Sequence, residues 1–360
     1  ARRAVKCLDK PSLYLHFEDA KVEIQIMKAC DHPSIIKLYE IFEDRSTVFI
    51  VLEHCSCNLG QVLARQKSLF EASAAMVLRQ ILNGVAYLHG LGILHRDIRP
   101  QNIVMASNTD LATVKLADFG WACFLPSCDL LSEEVGDECR RSPEMLQHHY
   151  GKSCDIWSCG VILYEMLLGY LPFTGHDEKV RQTISTGKYK FEVKDWDRLS
   201  APCSEMLKSL LQVDKDLRGG PRDALRHKWF ESAQEGKSGA DIIPATKLQS
   251  CILQFQGMNL FKKAALQIIA SHLCHDELSL AVRTFMQLDT DGNGRLSKKE
   301  LERHIPTIAG QLGRQRMEDM SYTEFLAATF DHEGRLTDRV CKIAFDVFDR
   351  NQDGRLDRDE

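Results

Sequence analysis

The chain has 360 residues, enough for two or three domains that each bury a core of their own. Lys and Arg number 46 against 51 Asp and Glu, and a net charge of −5 gives no reason to expect a nucleic-acid partner. The 13 cysteines are scattered, with Cys55 and Cys57 as the close pair, which excludes zinc-ligand spacing and points to free thiols in a reducing, cytoplasmic setting.

No apolar run reaches membrane-spanning length, because Val161–Phe173 is interrupted by Glu165 and Pro172. Membrane association by other means is left undetermined. Ala4-Val5-Lys6 is a short apolar stretch ending in a cation, and Val22, Ile26 and Met27 recur at helical spacing around Glu23. Asp31–Tyr39 and Thr47–Leu52 read as the next two strands. Glu71–His89 carries Leu78, Ile81, Leu82, Val85 and Leu88 on one helical face, which predicts a core helix.

Then comes His95-Arg96-Asp97-Ile98-Arg99-Pro100-Gln101-Asn102, followed by Ile103-Val104-Met105, a turn-rich 106–110, Ala112–Leu116 and Ala117-Asp118-Phe119-Gly120. The pattern predicts a strand, a turn and a strand with polar chemistry at both ends. An Asp and an Asn five residues apart, with a second Asp after the hairpin, can converge on one Mg-bound triphosphate. Asp97 would accept a hydroxyl proton, while Asn102 and Asp118 offer hard oxygen ligands to Mg2+. Downstream, Asp155-Ile156-Trp157 opens a helix apolar nearly all round, as a buried central helix is.

Residues 231–247 are polar and read as a linker. Ile252–Ala270 reads as one amphipathic basic helix, with Phe261, Ala264, Ala265, Ile268 and Ile269 apolar beside Lys262 and Lys263, the kind a calcium-sensor lobe grips. Asp289–Glu300 fits a 12-residue EF-hand loop: Asp289, Asp291 and Asn293 supply side-chain oxygens, Gly294 the sharp turn, Arg295 a backbone place and Glu300 the last ligand. Asp349–Glu360 repeats the pattern through Asp349, Asn351, Asp353, Gly354, Arg355 and Glu360. Each loop follows an apolar helical stripe: Leu278, Val282, Phe285 and Leu288 before the first, Val340, Ile343, Ala344 and Val347 before the second. Between them Ser321–Thr329 looks like the tail of another hand. Counting back from Glu324 places Gly313, Gln315 and Met317 where oxygens belong, so a loop near 313–324 is degenerate or incomplete.

The His95–Asn102 and Ala117–Gly120 stretches resemble the catalytic loop and Mg-binding motif of protein kinases. Ala4-Val5-Lys6 resembles the end of the kinase third strand, which implies that Lys6 holds the ATP phosphates and pairs with Glu23. The resemblance places Leu52 at the gate to the adenine pocket and Glu53, His54 and Cys55 at the hinge. It also implies an ion pair between Arg218 and Glu144, in a Ser-Pro-Glu that stands for the family's Ala-Pro-Glu. The Gly-rich phosphate loop is expected to precede Lys6, outside this sequence.

A kinase, a basic junction and EF-hands in one chain resemble the calcium-dependent protein kinases of plants and apicomplexan parasites; Lys262–Leu266 and Phe325–Thr329 match stretches of that family. The fold implied is an α+β two-lobed protein kinase fold followed by an all-α EF-hand calcium-binding domain. Its parts are a partial N-lobe (1–55), a C-lobe (56–231), a linker and autoregulatory junction helix (232–275) and the EF-hand domain (276–360). ATP, Mg2+ and Ca2+ are the implied cofactors, protein Ser/Thr residues the substrates, and the hand lobe closing on the junction helix the implied relief of autoinhibition.

The departures from the family carry expectations of their own. Arg99 replaces the catalytic Lys two residues after Asp97 and keeps the charge but not the shape. Asp137 replaces a Thr, and an ion pair between Arg99 and Asp137 is expected. Asn58 and Gln101 stand where acids read a basic residue before the phosphosite, so a weakened preference for Arg follows. Arg140 replaces a Tyr, and Arg96 is expected to pair with the acidic loop of Glu133, Glu134 and Asp137. The alternative function is a calcium-responsive pseudokinase or scaffold with little phosphotransfer.

Overall fold

In the computed structural model the described residues are 2–106, 111, 113–125, 130–175, 178–189, 199–233, 242–273, 275–306, 319–330, 338–349, 351 and 353–356. The chain divides into two compact units, Arg2–Lys237 and Ser238–Glu360.

In the first unit, β1 (Arg3–Asp9) runs into the 20-residue α1 (Lys10–Ala29), and β2 (Leu38–Glu43) and β3 (Thr47–Glu53) follow. Their sheet has the order β1-β3-β2, all antiparallel, with Lys6 opposite Ile50 and Leu38 opposite Leu52. The first of the two expected middle strands begins later than its sequence suggests, at Leu38. Pro33 cannot donate to a ladder, His32 Nδ1 accepts the Ser34 N–H at 3.0 Å, and Ile36 donates to the Leu116 carbonyl at 2.9 Å. The 31–36 segment therefore ties the small sheet to the rest of the unit rather than extending it.

The helical part is built around α2 (Leu59–Gln66), α3 (Glu71–Gly90) and α4 (Ser153–Leu168). Trp157, Tyr164 and Phe173 are fully buried, as are Val77, Leu78 and Leu82 on α3, so α3 and α4 share one core. Strands Ile103–Met105 and Val114–Leu116 pair as the sequence predicts, Ile103 opposite Leu116. This hairpin holds Asn102 and Asp118 at the same open end, where the Ala117 N–H donates to the Asn102 carbonyl at 2.9 Å. The intervening turn lies largely outside the described residues.

The second unit contains two junction helices where one was expected, Ala245–Gln256 and Leu260–His272. The break falls at Gly257, and Asn259 restarts the helix by accepting the Lys262 N–H at 2.8 Å. Leu248, Ile252 and Phe255 from the first helix and Leu266, Ile269 and Ala270 from the second enter one core with Phe285, Phe325 and Leu326 of the hand helices. The Phe261 and Phe348 rings lie 5.0 Å apart. Among the described residues of this unit the strands are a two-residue ribbon, Arg295–Leu296 against Met320–Ser321, and the other regular elements are helices. Among the described residues no helix is long and apolar enough to cross a membrane.

Candidate active site and calcium loops

Lys6 leaves β1 on the face toward α1. Its Nζ lies 2.6 Å from Glu23 Oε1 and 3.3 Å from Asp118 Oδ1, so one ammonium joins strand, helix and the loop after the hairpin. Burial alone would depress this lysine, but Glu23 and Asp118 outweigh it and hold Lys6 above its usual value. Glu23 is 4% exposed and Ile26 and Met27 beside it are buried, so the packing of α1 fixes the acid.

Asp118 is in the left-handed region, with φ 63°, and so is Arg96, with φ 65°. Such conformations persist in non-Gly residues only where surrounding contacts impose them. For Arg96 the contacts are visible. The buried Asp155, at the start of α4, accepts from the His95 N–H at 3.1 Å and the Arg96 N–H at 2.9 Å, and His89 Nε2 lies 2.8 Å from it. Burial works against the Asp155 carboxylate, but His89 and the His95 N–H keep it below the usual range. The loop backbone is thus pinned from underneath. Phe119 is fully buried, with its ring 5.1 Å from that of His95.

Asn102 donates from Nδ2 to Asp97 Oδ2 at 2.7 Å and to the Asp97 carbonyl at 2.9 Å, which leaves its Oδ1 for a cation. Gly136 approaches from the facing loop with φ 72°, and a Cβ there would meet the Arg96 carbonyl at 3.0 Å and Asp97 Oδ1 at 3.2 Å. Only glycine fits. The geometry thus brings Lys6, Glu23, Asp97, Asn102 and Asp118 into two hydrogen-bonded groups, and the hard oxygens of Asn102 and Asp118 suit Mg2+.

The β1–β3 ladder positions Leu52 and Glu53, opposite Ala4 and Arg3, and Cys55 follows two residues past the end of β3. Glu53 turns its side chain away, 3.1 Å from the buried Lys115 Nζ, which also donates to the Pro33 carbonyl at 2.9 Å. Sequence reading missed Lys115, because a lone Lys in a short strand carries no signal until the pairing is seen.

Two expectations around the catalytic loop fare differently. Arg96 does reach the acidic loop, with Nη1 3.4 Å from Glu133 Oε2 and Nε donating to the Trp121 carbonyl at 2.5 Å. Glu134 is held by Arg141 and Arg181, both at 2.6 Å. Arg99 does not pair with Asp137. It donates from Nε to Gln101 Oε1 at 2.9 Å, while Asp137 accepts the Cys139 N–H at 3.1 Å and lies 3.5 Å from Arg140 Nε. The nearer partners win because each is within three residues in sequence. Arg218 and Glu144 form the expected pair, bidentate at 2.6 and 2.9 Å.

In the second unit, Asp289 Oδ1 accepts from the Asn293 N–H at 3.1 Å and Oδ2 from the Gly294 N–H at 2.9 Å. Asp349 repeats this toward Asp353 at 3.1 Å and Gly354 at 2.9 Å. Asn293 Oδ1 accepts the Arg295 N–H at 2.7 Å, and Asp353 Oδ1 the Arg355 N–H at 2.8 Å. Gly294 and Gly354 carry φ 74° and 79°, as the sixth place of the loop requires. Oxygens of Asp289, Asp291 and Glu300 lie within 4.8 Å of one another. Burial, with Glu300 and Asp291 nearby, pushes Asp289 up to about 7. Crowded acids without a counter-charge fit a bound cation, and the all-oxygen set fits Ca2+. Glu360 lies outside the described residues, as do Gly313, Gln315 and Met317. Glu324, however, takes the place Glu300 holds: Ser321 donates to Glu324 as Ser297 does to Glu300, at 2.7 and 3.0 Å, and Met320 pairs opposite Leu296.

The protein kinase domain family matches residues 2–230 and the EF-hand family matches 281–305 and 342–360. Calcium-dependent protein kinase 5 of Plasmodium falciparum (isolate 3D7) is 32% identical over 375 residues, covering 100% of this chain and 65% of that protein. Calcium-dependent protein kinase 3 of Plasmodium yoelii yoelii is 30% identical over 369 residues, 99% of this chain and 68% of that protein. The chain spans about two thirds of the length of the relatives it matches. By its kinase core, its paired acids and its EF-hand loops, the chain belongs to the calcium-dependent protein kinase family.

Proposed function

We propose that the protein is a calcium-switched serine/threonine kinase that transfers the γ-phosphate of ATP to protein hydroxyls. The observation that carries this reading is Lys6 Nζ, 2.6 Å from Glu23 and 3.3 Å from Asp118, which assembles the phosphate-binding charge from three separate segments. In this reading Leu52, Glu53 and Cys55 line the adenine side, and Lys6 orients the phosphates. Asp97 takes the proton of the attacking hydroxyl, and Arg99 adds positive charge on the transferring group. Asn102 and Asp118 hold Mg2+, which neutralises charge on the phosphate oxygens.

Asp289, Asp291, Asn293, Arg295 and Glu300 would hold one Ca2+, and Asp349, Asn351, Asp353, Arg355 and Glu360 a second. Domain limits follow the same reading: an N-lobe at 1–55, a C-lobe at 56–231, junction helices within 232–275, and hands at 276–360 with a non-binding one near 313–324. The junction helices share a core with the hands, which supports calcium acting by rearranging that core. Among the described residues no cysteine is in a disulfide, which supports a cytoplasmic setting.

The test is transfer from Mg-ATP to a Ser/Thr peptide mixture by the natural full-length chain, with calcium and with chelator, beside Asp118→Ala. Transfer only with calcium, absent in Asp118→Ala, is expected. No transfer in either condition, with a calcium-dependent shape change still present, would replace the kinase by a scaffold. The sequence departures at Asn58 and Gln101 further lead us to expect weak selection for Arg before the phosphosite, read on a peptide array; strong selection there refutes it.

A further inference from the structure

A cleft beside Asp97 is lined by Arg96, Val135, Asp137, Arg140 and Ser158 among others. Arg140, in the short 3-10 turn Glu138–Arg140, is 7% exposed, an unusual degree of burial for a guanidinium. It sits between two acids from different elements. Its Nη2 lies 2.7 Å from Glu165 Oε2 in the last turn of α4, and its Nε lies 3.5 Å from Asp137 Oδ2. Neither contact is well aligned, because Arg140 Nε and Nη1 and Glu165 Oε2 have no hydrogen-bond partner. Charge rather than hydrogen-bond geometry keeps the guanidinium in place. Glu165 is 19% and Asp137 29% exposed at the side chain, so each would face costly desolvation without the cation.

A pair of carboxylates, Asp137 in the cleft beside Asp97 and Glu165 reached through Arg140, is the chemistry that recognises a basic residue of a peptide. Here that place is taken by the chain's own arginine. We propose that Arg140 is a specificity-determining residue that occupies Glu165 and Asp137 as a built-in stand-in for a substrate's basic side chain, so that the cleft accepts peptides with a neutral residue there and rejects Lys or Arg. The inference rests on the kinase reading for its natural substrate, but the occupancy of the acids does not depend on catalysis. A peptide cation entering this cleft would meet a fixed like charge, and expelling Arg140 would leave its two half-buried partners without their countercharge.

The experiment uses the natural full-length chain with calcium and Mg-ATP, and peptides carrying Arg, Gln or Glu at each position flanking one acceptor Ser. In Arg140→Gln the ratio of kcat/KM for Arg over Gln peptides should rise about tenfold at one position, the worth of one charge-assisted contact. Adding Glu165→Gln should abolish that gain. Glu165→Gln alone should instead favour the Glu peptide, because it frees the guanidinium. If Arg140→Gln fails to fold, this single variant decides the question. Ratios within about twofold of the parent at every position in the folded variants would overturn the proposal. If the parent transfers no phosphate at all, the kinase reading fails separately, and fluorescence anisotropy of the same peptides on the same proteins reads the cleft. Tighter binding of the Arg peptide to Arg140→Gln then supports the proposal, and equal binding sinks it.

Discussion

Asp97 is held by Asn102 from one side and approached by Gly136 from the other, so its carboxylate is placed before any substrate arrives. Asp97→Asn keeps the shape and removes the proposed base. It should lower kcat by about 10²- to 10⁴-fold with little change in KM, measured by steady-state peptide phosphorylation. These residues were legible because each is a particular residue type at a fixed spacing in a short loop. Arg99 and Asp137 were also visible, yet their pairing was not, because the choice among nearby partners depends on side-chain direction. Arg140 with Glu165 was invisible in a stronger sense. In the sequence Glu165 merely interrupts an apolar helix, and only the packing of that helix under the 138–140 turn gives it a partner.

Helix α4 carries Asp155 under the 95–96 backbone at its start and Glu165 against Arg140 near its end, so a single buried element holds both segments. Beside it, Glu144 and the fully buried Arg218 lock the substrate-facing loop to the helical core. Glu144→Gln leaves Arg218 without its countercharge and should cost about 3–5 kcal/mol in chemical denaturation. Burial raises Glu144, but the Arg218 pair outweighs it and leaves this acid below the ordinary glutamate value of 4.5. Its contribution to stability is therefore complete above that pH and is lost as pH falls through the depressed folded value. In the second unit Ile269, 4% exposed, is a core residue of the junction. Ile269→Ala should destabilise the unit by about 2–5 kcal/mol in thermal unfolding followed by circular dichroism. The break at Gly257 escaped the sequence reading because the apolar stripe continues across it.

At the scale of the whole chain, two loops carry full ligand sets and the 313–324 frame does not. Calorimetric titration of residues 1–360 should therefore find two bound calcium ions, and Asp289→Ala should remove one of them. The division into kinase and hands was open to sequence reading because each half repeats a known spacing. The two-strand ribbon between hands was not, since two residues are too few to show alternation.

That ribbon has a bearing on how signals are graded. Paired hands sharpen a calcium response because filling one loop readies its neighbour across the strands. Here the first loop's ribbon partner, Met320–Ser321, belongs to a frame with Gly313, Gln315 and Met317 at its first, third and fifth places, so it offers no full ligand set to recruit. Its occupancy should rise in plain proportion to free calcium, with a Hill coefficient of about 1 when fluorescence is followed from a probe near Met320. Such a lobe measures calcium as a dial does, over a wide range, and leaves any threshold to be set elsewhere.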